Sequence, residues 1–148
     1  MLLTPGPIVG GSRAIGGLTM KRASPPLIML VEEEADEREA ISRLLRESGF
    51  AVVSAPTTDS ALAYLTAHPA VQGLVVDAHE PGAFDGHELA RRVRTALPQI
   101  AVVVTSGHSD DPSWSPPDGA EFLLKPDLVT ELPATLHRLI GADARGAA

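Results

Sequence analysis

Five short apolar runs, each closed by a polar residue or a turn former, constrain this chain more than any other feature. They are Leu27–Val31, Ala51–Ser54, Leu74–Val76, Ile100–Val104 and Phe122–Leu124. Continuous apolar runs this short suit strands buried on both faces. Helical spacing fills most of the gaps between them. A first helix is predicted from about Asp36 to Ser48, with Ala40, Ile41, Leu44 and Leu45 on one face and Gly49 as its stop. A second starts at Thr58 or Asp59, both good caps, buries Ala61, Leu62 and Leu65, and ends by Pro69. Asp85-Gly-His-Glu88 reads as a capping box opening a third, whose Leu89, Val93 and Leu97 recur every fourth residue. A last helix covers roughly Glu131 to Ile140, with Pro133 placed in its first turn. Strands alternating with helices through short connections require right-handed crossovers and a mainly parallel sheet.

At 148 residues the chain is expected to hold one domain. Residues 1–26 show no sustained period and read as a mostly disordered leader. The domain spans 27–140, and 141–148 form a flexible tail. No cysteine is present, which excludes disulfides, thiolate zinc sites and a cysteine nucleophile. A net charge of −7 argues against a nucleic-acid-binding face. No apolar run approaches the roughly 18 residues of a membrane span. A cytoplasmic protein with neither nucleic-acid nor membrane partners is therefore expected.

Chemistry gathers where the strands end. The first run is followed by Glu32 and Glu33, the third by Asp77, the fourth by Thr105 and the fifth by Lys125. In open α/β sheets the carboxyl edge is where ligands bind. Like charges about 4 Å apart repel by on the order of 4 kcal/mol at an effective dielectric near 20. A divalent cation would relieve that repulsion, and an oxygen-only ligand set favours Mg²⁺, Mn²⁺ or Ca²⁺ over zinc. Such a pocket could also take a phosphoryl group, with Lys125 and the Thr105 hydroxyl holding its oxygens and Asp77 as the nucleophile. Glu34 reads as a solvated charge. His68, His87 and His137 read as surface residues, and Trp114 as packing over the sheet.

These residues, in this order, resemble the response-regulator receiver domains of two-component signalling. The resemblance runs from about Leu27 to Ile140. It is carried by the acidic pair after the first strand, Asp77 with Pro81 and Asp85-Gly86 downstream, Thr105-Ser106, and Lys125-Pro126. It implies a flavodoxin-like α/β fold, a five-stranded parallel sheet of order 2-1-3-4-5 with helices on both faces. It also implies that Asp77 accepts a phosphoryl group from a sensor histidine kinase or a histidine phosphotransfer protein. Glu32, Glu33, Asp77 and the His79 backbone carbonyl would bind Mg²⁺. Thr105 would be the switch hydroxyl, Lys125 the phosphoryl-binding cation and Phe122 the aromatic that changes rotamer. A regulator of this single-domain type is no turnover enzyme and signals by contact with a downstream protein target.

This chain departs from that pattern at three places. Glu33 is one methylene longer than the aspartate usual there. Glu80 stands before Pro81 where receivers carry an apolar residue. The segment of the fourth helix, His108–Gly119, contains Pro112, Pro116 and Pro117, so a short or broken helix is expected. The first and last departures motivate an alternative, a degenerate receiver that binds partners without phosphorylation. A metal-dependent phosphatase is a third reading. It needs a general acid two residues past Asp77, where this chain has His79.

Overall fold

A computed structural model describes residues 13–15, 18–20, 24–107 and 115–147, with side chains described over 24–107 and 115–141. Its elements are β1 (Arg13–Ile15), β2 (Leu18–Met20), β3 (Leu27–Val31), α1 (Ala35–Glu47), β4 (Ala51–Ser54), α2 (Thr58–Ala67), β5 (Val71–Asp77), α3 (Gly86–Ala96), β6 (Ala101–Ser106), β7 (Ala120–Leu124) and α4 (Leu128–Ala147). Strands β3 to β7 form one parallel sheet in the order β4-β3-β5-β6-β7. Numbered within that sheet, the order is the expected 2-1-3-4-5.

Period-two alternation sends each strand's side chains to two separate cores. Met29, Val31, Leu74, Val76, Val102 and Val104 pack beneath α2 and α3 with Ala61, Leu65, Leu89 and Val93. Ile28, Leu30, Val75 and Val103 pack on the opposite face against Ile41 and Leu45 of α1 and Leu128, Leu132 and Leu136 of α4. Each fully buried leucine or valine contributes about 2 kcal/mol of transfer free energy. Aliphatic residues thus fill most of both layers, with Phe50 the buried aromatic of the second.

Several local expectations are corrected by tertiary contacts. Thr57, not Thr58 or Asp59, caps α2, through a reciprocal capping box with Ser60. Thr58 is fully buried and donates its hydroxyl to the Phe84 carbonyl at 2.5 Å, while an Asp59 carboxylate oxygen accepts from the Ala83 amide. Both residues tie down the loop that leaves β5. At α3, Asp85 accepts from the Glu88 amide, but the Glu88 carboxylate turns away to Arg91 and Arg92, so the box is half made. Strand β6 runs two residues beyond Val104 and includes Thr105 and Ser106. The last helix begins at Leu128 after a 3₁₀ turn over Lys125–Asp127. Pro133 therefore sits inside it, where the amide it lacks would have met the carbonyl of Val129. Val129 itself is 74% exposed. The same helix continues past the expected end at Ile140 to Ala147.

Within the segment read as a leader, β1 and β2 pair antiparallel with Arg13 opposite Met20. The Gly16-Gly17 dipeptide between them is a two-residue hairpin signal. Residues 115–119 contain no helix and lead by a turn into β7. Trp114 and the rest of 108–114 lie outside the described residues. No helix among the described residues is long and apolar enough to cross a membrane.

One glycine sets the path of the chain after β5. Gly86 donates its amide to the Ala78 carbonyl, and a β-carbon at this position would run into the carbonyl group of Asp77. We expect Gly86→Ala to destabilise the fold by about 2 kcal/mol or more, because backbone rather than a flexible side chain must yield. Urea denaturation of the two proteins checks this.

Candidate functional site

The sheet order reverses between β3 and β5, and the crevice at their carboxyl ends is the place where doubly wound sheets accept ligands. Glu32 directly follows β3 and Asp77 ends β5. Val31 is level with Val76, and Asp77 with Thr105, so the three residues share one edge. By alternation Glu32, Asp77, Thr105 and Lys125 also carry the parity of Leu30, Val75, Val103 and Leu123, the face covered by α1 and α4. Register and parity together deliver them to one pocket.

The ammonium of Lys125 holds that pocket closed. Its Nζ donates to Asp77 Oδ2 at 2.6 Å, to Glu37 Oε1 at 2.7 Å and to Glu32 Oε1 at 3.0 Å. Burial pulls the Lys125 ammonium down, but its bonds to Asp77, Glu37 and Glu32 outweigh this and hold its pKa well above that of an ordinary lysine. Glu32 is buried. Its second oxygen accepts from the Glu34 amide at 3.1 Å, and Arg38 ties down the adjoining carbonyls of Glu32 and Glu33. Burial raises the Glu32 pKa, opposed by the Glu34 amide and by Lys125. Asp77 is half-buried, and its Oδ1 accepts from the His79 amide at 2.8 Å. Thr105 is buried beside it and accepts the Ala78 amide on its carbonyl at 2.8 Å. Phe122 lies level with Val104 and packs half-buried on the α2–α3 side of the sheet.

A further carboxylate, beside Glu32 and Asp77, comes from an unexpected position. The Glu33 side chain is exposed, and Glu33 reaches the site only through its amide, which donates to Glu80 Oε2 at 2.9 Å. Glu80 is 5% exposed, and carboxylate oxygens of Glu32, Asp77 and Glu80 all lie within 4.8 Å of one another. Burial, together with the nearby charges of Glu32, Asp77 and Glu33, pushes the Glu80 pKa up to about 7 against the pull of the Glu33 amide. Glu80 Oε1 is buried without a hydrogen-bond partner. Three carboxylates and an unsatisfied hard oxygen fit a divalent cation such as Mg²⁺.

The structure therefore gathers Glu32, Asp77, Thr105 and Lys125, places the His79 amide on Asp77, and leaves the Glu33 side chain outside. It adds Glu80 and Glu37, which the strand-end pattern does not reveal. Glu80 carried one signal, an acid where the family resemblance leads one to expect an apolar residue. Glu37 carried none, because acids in a first helical turn are ordinary. Glu34 is more than a solvated charge, since it caps α1 by accepting from the Glu37 amide.

Comparison with known proteins agrees with this architecture. The response regulator receiver domain family matches residues 28–132. The two-component response regulator ORR5 of Oryza sativa subsp. japonica is 31% identical over 126 residues, covering 82% of this chain and 93% of that protein. The C4-dicarboxylate transport transcriptional regulatory protein DctD of Rhizobium meliloti is 32% identical over 120 residues, which span 78% of this chain but 25% of DctD. The crystal structure of a response regulator receiver protein from Sinorhizobium medicae superposes with a TM-score of 0.72 at 27% identity, covering 80% of this chain and 97% of that one.

The Glu80 environment has a measurable consequence. A carboxyl whose pKa is higher folded than unfolded holds its proton more tightly in the native state. Its contribution to stability is therefore complete below the unfolded value of 4.5 and is lost as pH rises to about 7. Lys125 does not titrate in this window. In metal-free buffer, the stability of the wild-type protein relative to Glu80→Gln is expected to fall by about 2–3 kcal/mol between these limits. Denaturation at a series of pH values in a chelator reads the difference directly.

Proposed function

Because the chain belongs to the response regulator receiver domains of two-component signalling, we propose that it is switched by phosphorylation of Asp77. The observation that carries this reading is the Lys125 ammonium bridging Asp77 and Glu32 at the carboxyl edge of the sheet. In the proposed step a carboxylate oxygen of Asp77 attacks the phosphorus of a phosphohistidine on a sensor histidine kinase or phosphotransfer protein. The phosphorus–nitrogen bond breaks, and the histidine nitrogen keeps the electron pair and takes up a proton from solvent. Asp77 is suited to the role because it is half-buried and the His79 amide fixes one of its oxygens.

The residues present fit a divalent cation, and receiver domains typically bind Mg²⁺. Glu32, Asp77 and the His79 backbone carbonyl are the groups we assign to hold it. When bound, it supplies positive charge against the oxygens of the incoming phosphoryl group. Lys125 neutralises further phosphoryl charge by exchanging its carboxylate partners for phosphoryl oxygens. The Thr105 hydroxyl, on the strand beside Asp77, donates to the same group. Phe122 then repacks against the β6–β7 side, and the altered surface is read by a downstream protein. Two-component signalling implies a kinase partner for the domain, and the residues present do not specify which one. One observation, the exposed side chain of Glu33, favours the alternative of a phosphorylation-independent interaction domain.

Incubation with acetyl phosphate and Mg²⁺ followed by intact-mass measurement separates the two readings. We expect the wild-type chain to gain the mass of one phosphoryl group and Asp77→Asn to gain none. A wild-type chain that stays unmodified, or an adduct that persists in Asp77→Asn, defeats the assignment.

A further inference from the structure

Of the three carboxylates that converge at the carboxyl edge, Glu80 is the one that the phosphoryl-transfer scheme leaves without work. It follows β5 by three residues, directly before Pro81, and is folded inward rather than out to solvent. The other two acids of the trio are fully engaged. Both oxygens of Glu32 accept hydrogen bonds, from Lys125 and the Glu34 amide, and both oxygens of Asp77 do so, from Lys125 and the His79 amide. Glu80 has one oxygen on the Glu33 amide and the other, Oε1, buried without a partner. A buried oxygen left unsatisfied beside two further carboxylates is unfavourable unless something positive completes it. The side chain that the family resemblance would send there, Glu33, is exposed and lends only its backbone.

We infer that Glu80 supplies the carboxylate that the exposed Glu33 side chain does not, so that a divalent cation in this pocket is held by Glu32, Asp77 and Glu80 while Glu33 orients Glu80 through its amide. The inference rests on the reading that the pocket takes a divalent cation, and it assigns a ligand that reading does not contain. The chemistry is that of a hard, oxygen-bound ion, because every side-chain donor is a carboxylate. It also accounts for two features together: the Glu33 side chain is exposed and lends only its amide, while the Glu80 side chain is buried among the other carboxylates.

Calorimetric titration of the full chain with Mg²⁺, and with Mn²⁺ followed by electron paramagnetic resonance, tests the assignment without reference to phosphorylation. Glu80→Gln and Glu80→Met are expected to weaken binding by about tenfold or more, the scale set by losing a metal-site partner. Glu33→Gln is expected to bind within about threefold of wild type, as for an exposed charge. Glu80→Met fills the site with an apolar side chain and reads the same quantity should Glu80→Gln fold poorly. Wild-type affinity in both Glu80 variants, or loss of binding in Glu33→Gln alone, overturns the inference. Failure of the wild-type chain to bind either ion overturns the divalent-cation reading beneath it, which is a different result.

Discussion

Mutual repulsion of carboxylates at the carboxyl edge of the sheet is the constraint around which the rest of this structure is arranged. Glu32, Asp77 and Glu80 bring carboxylate oxygens within 4.8 Å of one another. At an effective dielectric near 20, each close pair of charges costs about 3–4 kcal/mol. A fold that is stable by only about 5–15 kcal/mol cannot leave several such pairs unopposed. Lys125 is the opposing charge. It directly follows β7, an edge strand of the sheet, and it meets acids that follow β3, lie in the first turn of α1 and end β5 across long stretches of sequence.

The surrounding structure serves that meeting. Arg38 fixes the two carbonyls that follow β3, and Glu34 starts α1 immediately after them. Thr58 and Asp59 anchor the loop between β5 and α3, while Gly86 lets the backbone close behind Asp77. At the far end of α3, the Arg94 guanidinium bonds the carbonyls of Pro98, Ile100 and Asp118, tying the entrance of β6 to the turn before β7.

Most of the fold was legible because strand burial leaves a simple trace. Runs such as Ile28–Val31 and Val102–Val104 are apolar on both faces, and only a sheet covered on both sides needs that. Helix ends were less legible, because a cap depends on which hydroxyl is free to serve it. Thr57, Thr58 and Asp59 are all suitable by type, and packing against the Pro81–Phe84 loop decides among them. The extent of α4 was underestimated because Pro133 suggested a helix start. The preceding 3₁₀ turn and the burial of Leu128 and Leu132 place it within the helix instead.

The site divides in the same way. Glu32, Asp77, Thr105 and Lys125 could be located from the chain alone, since each closes an apolar run and a parallel sheet must align those ends. The membership of Glu80 and Glu37, and the exposure of the Glu33 side chain, could not. These depend on how one loop turns after β5 and on how α1 brings Glu37 to Lys125, which are outcomes of tertiary packing. Local sequence determines that an acid is present and where its strand stops. Which acids end up sharing the Lys125 pocket follows from burial and from competition for a single ammonium, and that competition exists only once the chain has folded.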